Sequence, residues 1–357
     1  MSRLQKANLN INLSIERDGL CLLPISFLER DKKVADKKLL QLKIKQIRHE
    51  ASAIHSYELV SEDGEALPPF DAGSHIDLHL PSGAIRQYSL SNDPVEKNRY
   101  VVGVLRDEHG RGGSKEVHKA LRVGDSVSVS NPRNHFQLDE SAKKVILLAG
   151  GIGITPLKSM SHRLKSLGIP FELHYCARSQ ENIAFHQELR NLSDAGEVQF
   201  HLDGGIPGNG LNITEMVRVL EAGSHLYYCG PAGFMKACAQ AAKERSDIHV
   251  HFEHFKPPEK EGGQAEINVD AGELAIQIQS TGQKIALLRS ESLIDALAKL
   301  GVEVSTSCQS GLCGTCKTRY ISGDVEHGDC ILSDAEHAEY LTPCISHVKS
   351  GTLVLDL

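Results

Sequence analysis

The chain of 357 residues carries 39 Lys and Arg against 46 Asp and Glu, a formal net charge of -7 at pH 7, and 40% of its residues are hydrophobic. This length predicts two or three domains, and the composition is typical of a folded, water-soluble protein. The negative charge argues against nucleic-acid binding, which needs a basic surface, and no apolar run reaches the roughly 18 residues of a membrane-spanning helix. We therefore expect a cytoplasmic protein that acts without nucleic acid or membrane.

The first two regions of the chain, residues 1–39 and 40–139, differ in their pattern of apolar and turn-forming residues. Residues 1–39 have mixed charge and no sustained period, and they are interpreted as an N-terminal extension without an assigned function. Residues 40–139 read as short strands separated by Gly and Pro, which predicts an antiparallel β-barrel. The predicted strands are Leu40–Ile47, Ile54–Val60, His75–Leu80, Arg86–Ser91, Tyr100–Leu105 and Ser126–Ser130, and the one predicted helix is Ser114–Leu121.

Between residues 140 and 255 apolar strands alternate with helical stretches. This alternation predicts an α/β domain with a parallel sheet and helices on both faces. Its predicted strands are Val145–Ala149, Phe171–Cys176, Val198–Leu202, His225–Cys229 and one near Val250, and its predicted helices are Pro156–Leu167, Ile183–Leu189, Ile213–Leu220 and Ala232–Arg245.

A segment rich in Pro, Lys, Glu and Gly, residues 256–265, predicts a linker before the last domain, residues 266–357. That domain opens with two predicted strands, Glu266–Asp270 and Ala275–Ile278, and continues with a predicted helix, Ser292–Leu300. We expect a small α+β module of the β-grasp type. The fold class predicted for the whole chain is therefore multidomain.

Four of the nine cysteines follow the pattern C-x4-C-x2-C and a fourth cysteine after 27 further residues. They are Cys308, Cys313, Cys316 and Cys344. This is the spacing of plant-type [2Fe-2S] proteins, and Gly311 and Gly314 would let the loop wrap closely around a cluster. Four thiolates also bind zinc, but zinc ribbons favour paired C-x2-C knuckles. Cys330 matches no part of the pattern and is interpreted as a free thiol.

Two predicted strand-to-helix turns of the α/β domain are rich in glycine, in the segments Ala149–Pro156 and Cys229–Met235. Glycines there let a backbone approach a diphosphate, and ligands of parallel sheets bind at the carboxyl ends of the strands. Either turn alone could be a tight turn without a ligand, but two in one sheet favour a dinucleotide site. The candidate residues are Gly150, Gly151, Gly153, Thr155, Pro156, Cys229, Gly230, Pro231 and Arg178. Arg178 is included because it follows the second strand of this domain, where a cation could accept the 2′-phosphate of NADPH.

A third motif lies in the barrel, where Arg86–Ser89 stands on a strand and Gly110–Ser114 leads into the helix. A cation and a helix N-terminus are the groups that bind a phosphate, and Arg86 with Gly112–Ser114 could supply them. The surroundings of Tyr88 could hold a planar ring. Taken alone, this strand would be an ordinary barrel position.

Together these motifs resemble the phthalate dioxygenase reductase family, which includes vanillate O-demethylase reductases. The resemblance runs from about residue 40 to the end, and it is carried by Arg86–Pro94, Gly110–Ser114, Gly150–Pro156, Cys229–Met235 and the four cysteines. It implies FMN, a [2Fe-2S] cluster, NADH as the usual donor, and a separate Rieske-type oxygenase as the electron acceptor. Cys229 would lie near the nicotinamide.

The resemblance also implies which residues contact FMN. They are Arg86, Gln87, Tyr88, Ser89, Val104, Arg106, Gly112, Gly113, Ser114, Thr155 and Phe255, with Thr155 and the segment Glu253–Phe255 beside the flavin.

The expected activity is electron transfer from NADH through FMN to the cluster. Nicotinamide gives up two electrons as hydride whereas the cluster accepts one at a time, so a flavin is needed between them. Hydride transfer needs no side-chain acid or base, and none is assigned. The alternatives are a self-contained NAD(P)H reductase of a small-molecule acceptor and a non-enzymatic redox sensor. The substrate of the partner cannot be inferred, because it would not touch this chain.

Overall fold

The computed structural model describes residues 39–192, 198–256, 274–289 and 291–357. The predicted extension up to residue 38, the predicted linker after Lys256 and the predicted strand Glu266–Asp270 lie outside the described residues. Within them the chain forms three sheets packed around four apolar clusters.

The first sheet is an antiparallel barrel of six strands in the order β4-β3-β6-β1-β2-β5. Its strands are β1 Leu40–Ala51, β2 Ile54–Ser61, β3 His75–His79, β4 Ile85–Ser89, β5 Tyr100–Leu105 and β6 Ser126–Val129, and helix α1 is Gly113–Ala120. A single antiparallel bridge joins Leu90, directly after β4, to Val102 of β5. The two edge strands therefore meet, and the sheet closes.

The second sheet has five parallel strands in the order β11-β10-β7-β8-β9. Its strands are β7 Val145–Gly150, β8 Phe171–Ala177, β9 Val198–Leu202, β10 His225–Cys229 and β11 His249–Glu253, and its helices are α2 Ile154–Leu167, α3 His186–Leu192, α4 Ile213–Arg218 and α5 Ala232–Ala242. Every residue of β7 is buried, because helices cover both faces of this central strand.

The third sheet is mixed, in the order β13-β12-β16-β14-β15. Its strands are β12 Leu274–Ile278, β13 Lys284–Leu287, β14 Thr318–Glu326, β15 Tyr340–Leu341 and β16 His347–Leu355, and its helices are α6 Leu293–Lys299 and α7 Asp334–His337. Strand β12 runs parallel to β16 and antiparallel to β13. The apolar faces of this sheet and of α6 share one core, as in a β-grasp module.

The predicted fold class is confirmed, with an antiparallel barrel, a parallel α/β sheet and a small α+β module. Several predicted bounds differ by a few residues, and two of these differences have a clear local reason. Strand β1 runs on to Ala51 because it pairs with β2 over its whole length. Helix α3 begins at His186 rather than Ile183, because Phe185 has a left-handed φ of 56° that cannot continue a helix. No helix among the described residues is long and apolar enough to cross a membrane.

Candidate functional site

The two predicted glycine-rich turns contact each other. Strands β7 and β10 are parallel neighbours with Ala149 in register with Cys229, so their carboxyl ends lie side by side. A Cβ added to Gly153 would lie 2.1 Å from the carbonyl oxygen of Cys229, and one added to Gly150 would lie 2.9 Å from Cδ of Pro231. The backbones therefore approach so closely that no side chain fits between them.

Helix α2 begins directly after the first of these turns. No side chain caps its first turn, and Gly151 before it has a left-handed φ of 53°. The N–H of Ile154 donates to the carbonyl oxygens of Gly151 and Ile152, so the amides that suit a diphosphate are those of the preceding turn, Gly151–Gly153, at the end of a buried parallel strand. Gly230 packs under Phe234, since a Cβ there would lie 2.6 Å from that ring.

Three more residues predicted for the dinucleotide lie around this edge of the sheet. Thr155 and Pro156 are buried in the first turn of α2, and Arg178 is exposed directly after β8. The Thr155 methyl lies against the barrel, because a Cβ on Gly103 of β5 would be 2.7 Å from it. Thr155 thus stands where the sheet meets the barrel, between the two predicted cofactor sites.

In the barrel, Arg86 lies directly over the start of α1. A Cβ added to Gly113 would be 2.3 Å from Arg86 Nε, and Gly112, with a φ of 89°, precedes the helix without a side-chain cap. The Ser114 hydroxyl accepts the N–H of Asp107 at 3.0 Å, which closes the loop between β5 and α1. A guanidinium beside uncapped helix amides is a donor set that fits a phosphate.

The other residues predicted for the flavin lie on β4 and β5. Gln87 has a buried Nε2 that finds no hydrogen-bond partner among the described residues, so a donor is available for a ring edge. Tyr88 packs on the barrel core, and burial raises the pKa of its phenol. Val104 is fully buried, and Arg106 forms an ion pair with Glu108 at 2.8 Å.

Ser89 at the end of β4 faces Glu253 at the end of β11, and its hydroxyl donates to the carboxyl at 3.5 Å. Burial raises the pKa of Glu253 to about 8, and burial together with Arg133 lowers the pKa of His75, 3.8 Å from the same carboxyl, to about 3. Both groups are therefore predominantly neutral at pH 7, and the close approach is not an ion pair. Burial also raises the pKa of Cys229, so this thiol stays protonated.

The segment Glu253–Phe255 thus lies where barrel and parallel sheet meet. Phe255 packs against the apolar core that contains Ala149 and Cys229. The groups at this junction are uncharged or apolar, which is a suitable environment for hydride transfer between two stacked rings.

The four predicted cluster cysteines converge in two pairs. Cys316 Sγ lies 3.3 Å from Cys344 Sγ, and the thiol of Cys308 interacts electrostatically with that of Cys313. These contacts lower the pKa of Cys313 and Cys316 and raise that of Cys308 and Cys344. The charges of Cys308 and Cys313 also act on Cys316, so the two pairs lie close to each other. Four thiols this close fit a set of thiolates around one metal centre.

The loop around these thiols is shaped by glycine. Gly311 and Gly314 have left-handed φ values of 69° and 65°, and a Cβ on Gly311 would lie 2.8 Å from Asp329 Cα. The N–H of Leu312 donates to Cys308 Sγ at 3.3 Å, the kind of contact that tunes an iron–sulfur centre. Cys330 is a free thiol outside the set, with its Sγ 3.9 Å from the Gly311 carbonyl.

Sequence reasoning missed the residues that join the barrel to the cysteine loop. Arg111 donates from its two terminal nitrogens to the carbonyl oxygens of Cys308 and Gln309, both at 2.9 Å. Its own carbonyl accepts from Arg86 Nη2 at 3.4 Å. The loop predicted to hold a phosphate therefore also holds the cysteine loop. The motif Gly110–Ser114 contained Arg111, but nothing local indicated its partner.

A second junction, between β3 and the cysteine loop, has no local sequence pattern at all. Arg133 Nη2 donates to Asp77 Oδ1 at 2.7 Å and to the Ser307 hydroxyl at 3.2 Å. Ser307, next to the first cysteine, donates to the same carboxylate oxygen at 2.5 Å. The partners of Asp77 are 56 and 230 positions away, so only the tertiary structure brings them together.

Comparisons with known proteins agree with this geometry. A family model described as an oxidoreductase NAD-binding domain matches residues 147–240, and one described as a 2Fe-2S iron-sulfur cluster binding domain matches residues 276–349. The chain is 48% identical over 326 residues to the tert-butanol monooxygenase / tert-amyl alcohol desaturase reductase subunit of Aquincola tertiaricarbonis, covering 90% of this chain and 97% of the relative.

Two further proteins match over nearly their full length. The vanillate O-demethylase oxidoreductase of a Pseudomonas species is 43% identical over 323 residues, covering 89% of this chain and 100% of the relative. The solved structure of a phthalate dioxygenase reductase, described as modular for electron transfer from pyridine nucleotides to [2Fe-2S], superimposes with a TM-score of 0.70 at 37% identity. It covers 89% of this chain and 98% of that structure.

Proposed function

The chain belongs to the family of phthalate dioxygenase and vanillate O-demethylase reductases, and from this we propose that it is the reductase component of a multicomponent Rieske-type oxygenase. It passes electrons from NADH through FMN to its own [2Fe-2S] cluster, and from there to the oxygenase. When bound, the FMN accepts the two electrons of a hydride and the cluster accepts them singly.

The barrel residues bind and orient the flavin in this proposal. Arg86 and the uncapped amides of Gly113 and Ser114 hold the phosphate, and the unpartnered Nε2 of Gln87 donates to the ring. Tyr88 supplies an aromatic wall. Neutral Glu253 keeps the ring environment free of a negative charge that would oppose the arrival of hydride.

The parallel sheet binds the nicotinamide dinucleotide. The amides of the turn Gly151–Gly153, directly before α2, receive the diphosphate, and the absence of side chains at Gly150 and Gly153 keeps this approach open. Thr155, against β5, lies between dinucleotide and flavin. Arg178 after β8 lies where the adenosine ribose is expected, and NADH is proposed as the donor.

The observation that carries the proposal is the contact of Arg111 with Cys308. The arginine belongs to the loop Gly110–Ser114, which is proposed to hold the FMN phosphate. It donates to the backbone carbonyl of a cluster cysteine at 2.9 Å. A flavin held by this loop lies beside the cluster held by Cys308, Cys313, Cys316 and Cys344. The chain therefore has the arrangement needed to split a two-electron donor into single electrons.

Localisation and domain limits are part of the same proposal. We assign residues 40–139 to FMN, 140–255 to NADH and 266–357 to the cluster, with 256–265 as linker. Free thiols and a cluster of four cysteines suit a reducing compartment, which supports a cytoplasmic location.

The decisive experiment has two arms. Iron, sulfide and flavin are first quantified in the purified protein, with an expected content of about one FMN and two irons per chain. NADH-driven electron delivery is then measured to the purified oxygenase of a vanillate O-demethylase, with a quinone and a ferric chelate as competing acceptors. Turnover of the oxygenase at about 1 per second or faster supports the proposal.

Three results would contradict it. If the purified protein contained zinc in place of iron, or no flavin, it would not be an iron–sulfur flavoprotein reductase. Fast reduction of the quinone with no delivery to any Rieske oxygenase would make the chain a self-contained reductase, whereas flavin reduction slower than about 0.1 per second would favour a redox sensor. Cytochrome c cannot distinguish these cases, because each reductase would reduce it.

A further inference from the structure

Three side chains of the third domain that have no part in the electron path converge beside the cysteine loop. His327 follows β14, Asp329 lies two residues later, and His337 ends α7. One potential ligand atom from each lies within 4.8 Å of the other two. Two imidazoles and one carboxylate are a common donor set for a first-row divalent metal ion in proteins.

One of the three pairs of ligand atoms in this group already has the spacing that a metal ion requires, and all three atoms lie within 4.8 Å of one another. His337 Nε2 lies 3.2 Å from each oxygen of Asp329. Two ligand atoms about 2.0 to 2.1 Å from a tetrahedral zinc ion are separated by about 3.3 to 3.4 Å, so this pair already has nearly the required spacing. The ring of His327 lies over that of His337, with centroids 4.1 Å apart and planes at 24°.

The carboxylate is fixed before any ion arrives. The Asp329 side chain is 0% exposed, and it accepts the Leu332 N–H at 3.0 Å and the Thr342 hydroxyl at 3.3 Å. Outer hydrogen bonds of this kind orient metal-binding carboxylates and limit their motion.

His337 is fixed as well, but it is open to solvent. Its carbonyl accepts the Tyr320 hydroxyl at 2.7 Å, and a capping box of Ser333 and Glu336 holds the helix that carries it. The side chain is 21% exposed, which gives an ion a route to the site and leaves room for a water ligand. Three protein ligands and one water would complete a tetrahedral site.

His327 provides an independent observation. Its Nδ1 is buried and has no hydrogen-bond partner among the described residues. A buried polar atom without a partner is costly, and in native proteins such an atom is generally satisfied by water or an ion. This nitrogen belongs to a ring stacked on another imidazole that is itself bonded to a buried carboxylate.

We propose that His327, Asp329 and His337 bind a divalent first-row metal ion, tested here as Zn²⁺, in addition to the iron of the cluster. The site adjoins the cysteine loop, because a Cβ on Gly311 would lie 2.8 Å from Asp329 Cα and the Cys330 N–H donates to the Gly311 carbonyl at 3.3 Å. A bound ion ties the segment 327–337 to this loop and stabilises the cluster against thermal loss.

The test uses the full chain with its flavin and cluster in place. Zinc binding is measured by equilibrium dialysis against Zn²⁺, and its ligands by X-ray absorption at the zinc edge. The expected result is one zinc per chain with nitrogen and oxygen ligands at about 2.0 to 2.1 Å and no sulfur at about 2.3 Å. The temperature at which the cluster absorbance is lost should rise with zinc.

His337→Gln is the informative variant, because the amide can still donate to Asp329 but binds zinc poorly. We expect it to lose zinc affinity by about tenfold or more while flavin and iron contents stay at wild-type levels. His347→Gln, at an exposed histidine of the same domain, is the matched control and should bind zinc like the wild type.

Three outcomes would overturn the proposal. One is no zinc uptake by the intact protein. Another is zinc with sulfur ligands and a loss of iron, which would mean capture by the cluster cysteines. The last is equal affinity in His337→Gln and wild type, which would leave the His337–Asp329 contact as an ordinary hydrogen bond.

Discussion

Ser89 of the barrel donates a hydrogen bond to Glu253 of the parallel sheet at 3.5 Å, across the junction where flavin and nicotinamide are proposed to meet. The carboxyl is 16% exposed, and burial raises its pKa to about 8. The nearby His75 ring is neutral and cannot compensate a negative charge. The folded protein therefore binds a proton at Glu253 that the unfolded chain releases at lower pH.

This proton makes stability depend on pH. Between the ordinary pKa of 4.5 and about 8, the folded state binds more protons at Glu253 than the unfolded state does, so its contribution to stability falls as pH rises. The slope is about 1.4 kcal/mol per pH unit at most. Thermal midpoints of Glu253→Gln should lack this decline, whereas Glu62→Gln, at an exposed position, should retain it. Parallel pH curves for wild type and Glu253→Gln would contradict the shifted pKa.

Arg111→Ala should uncouple the flavin from the cluster. The change removes the two hydrogen bonds to Cys308 and Gln309, which at a partly exposed site are together worth about 1 to 2 kcal/mol, or roughly tenfold in the docked population. In anaerobic stopped-flow experiments we expect reduction of the flavin by NADH at close to the wild-type rate and slower reduction of the cluster.

Lys119→Ala, at the exposed end of α1, is the control for a lost positive charge and should leave both rates unchanged. If Arg111→Ala slowed only the NADH step, or if Lys119→Ala gave the same effect, the contact with Cys308 would not be what positions the cluster.

Gly153→Ala should weaken NADH binding. The new methyl would lie 2.1 Å from the Cys229 carbonyl oxygen, and since both atoms are held by the backbone, the two turns must separate. Strain of this kind costs typically about 1 to 3 kcal/mol, so we expect the dissociation constant of NADH to rise about tenfold or more. A Cβ on Gly233 would meet none of the described atoms within 4 Å, so Gly233→Ala is the matched control. If the dissociation constant of NADH were the same for Gly153→Ala and wild type, the dinucleotide would not bind at this turn.

Cys313→Ser and Cys330→Ser should distinguish a proposed cluster ligand from a cysteine that does not bind the cluster. Cys313 is buried and its thiol interacts with that of Cys308, whereas Cys330 is a free thiol 3.9 Å from the Gly311 carbonyl. We expect Cys313→Ser to lose most iron and sulfide while keeping its flavin, and Cys330→Ser to keep about two irons per chain. Iron loss in both variants to the same extent would make the assignment of the four ligands wrong.

The sequence could predict much of this fold because local patterns report it. Short strands separated by Gly and Pro in residues 40–139, and apolar strands alternating with helical stretches in residues 140–255, were enough to distinguish a barrel from a parallel sheet. The cysteine spacing was equally informative, because three ligands of one cluster lie in a nine-residue segment, 308–316. Strands β13 to β16 were not predicted, since their residues lack a clear period and are held by pairing with distant partners.

What the sequence by itself determined, then, was the set of three modules and most of their ligand-binding segments, since periodicity and short motifs depend on residues close in the chain. The tertiary structure alone decided how these segments meet. Arg111 with Cys308, Ser89 with Glu253 and Asp77 with Ser307 are pairs more than 160 positions apart. These contacts contribute to stability only when the separate modules pack together and exclude water. No local pattern of residues encodes that packing.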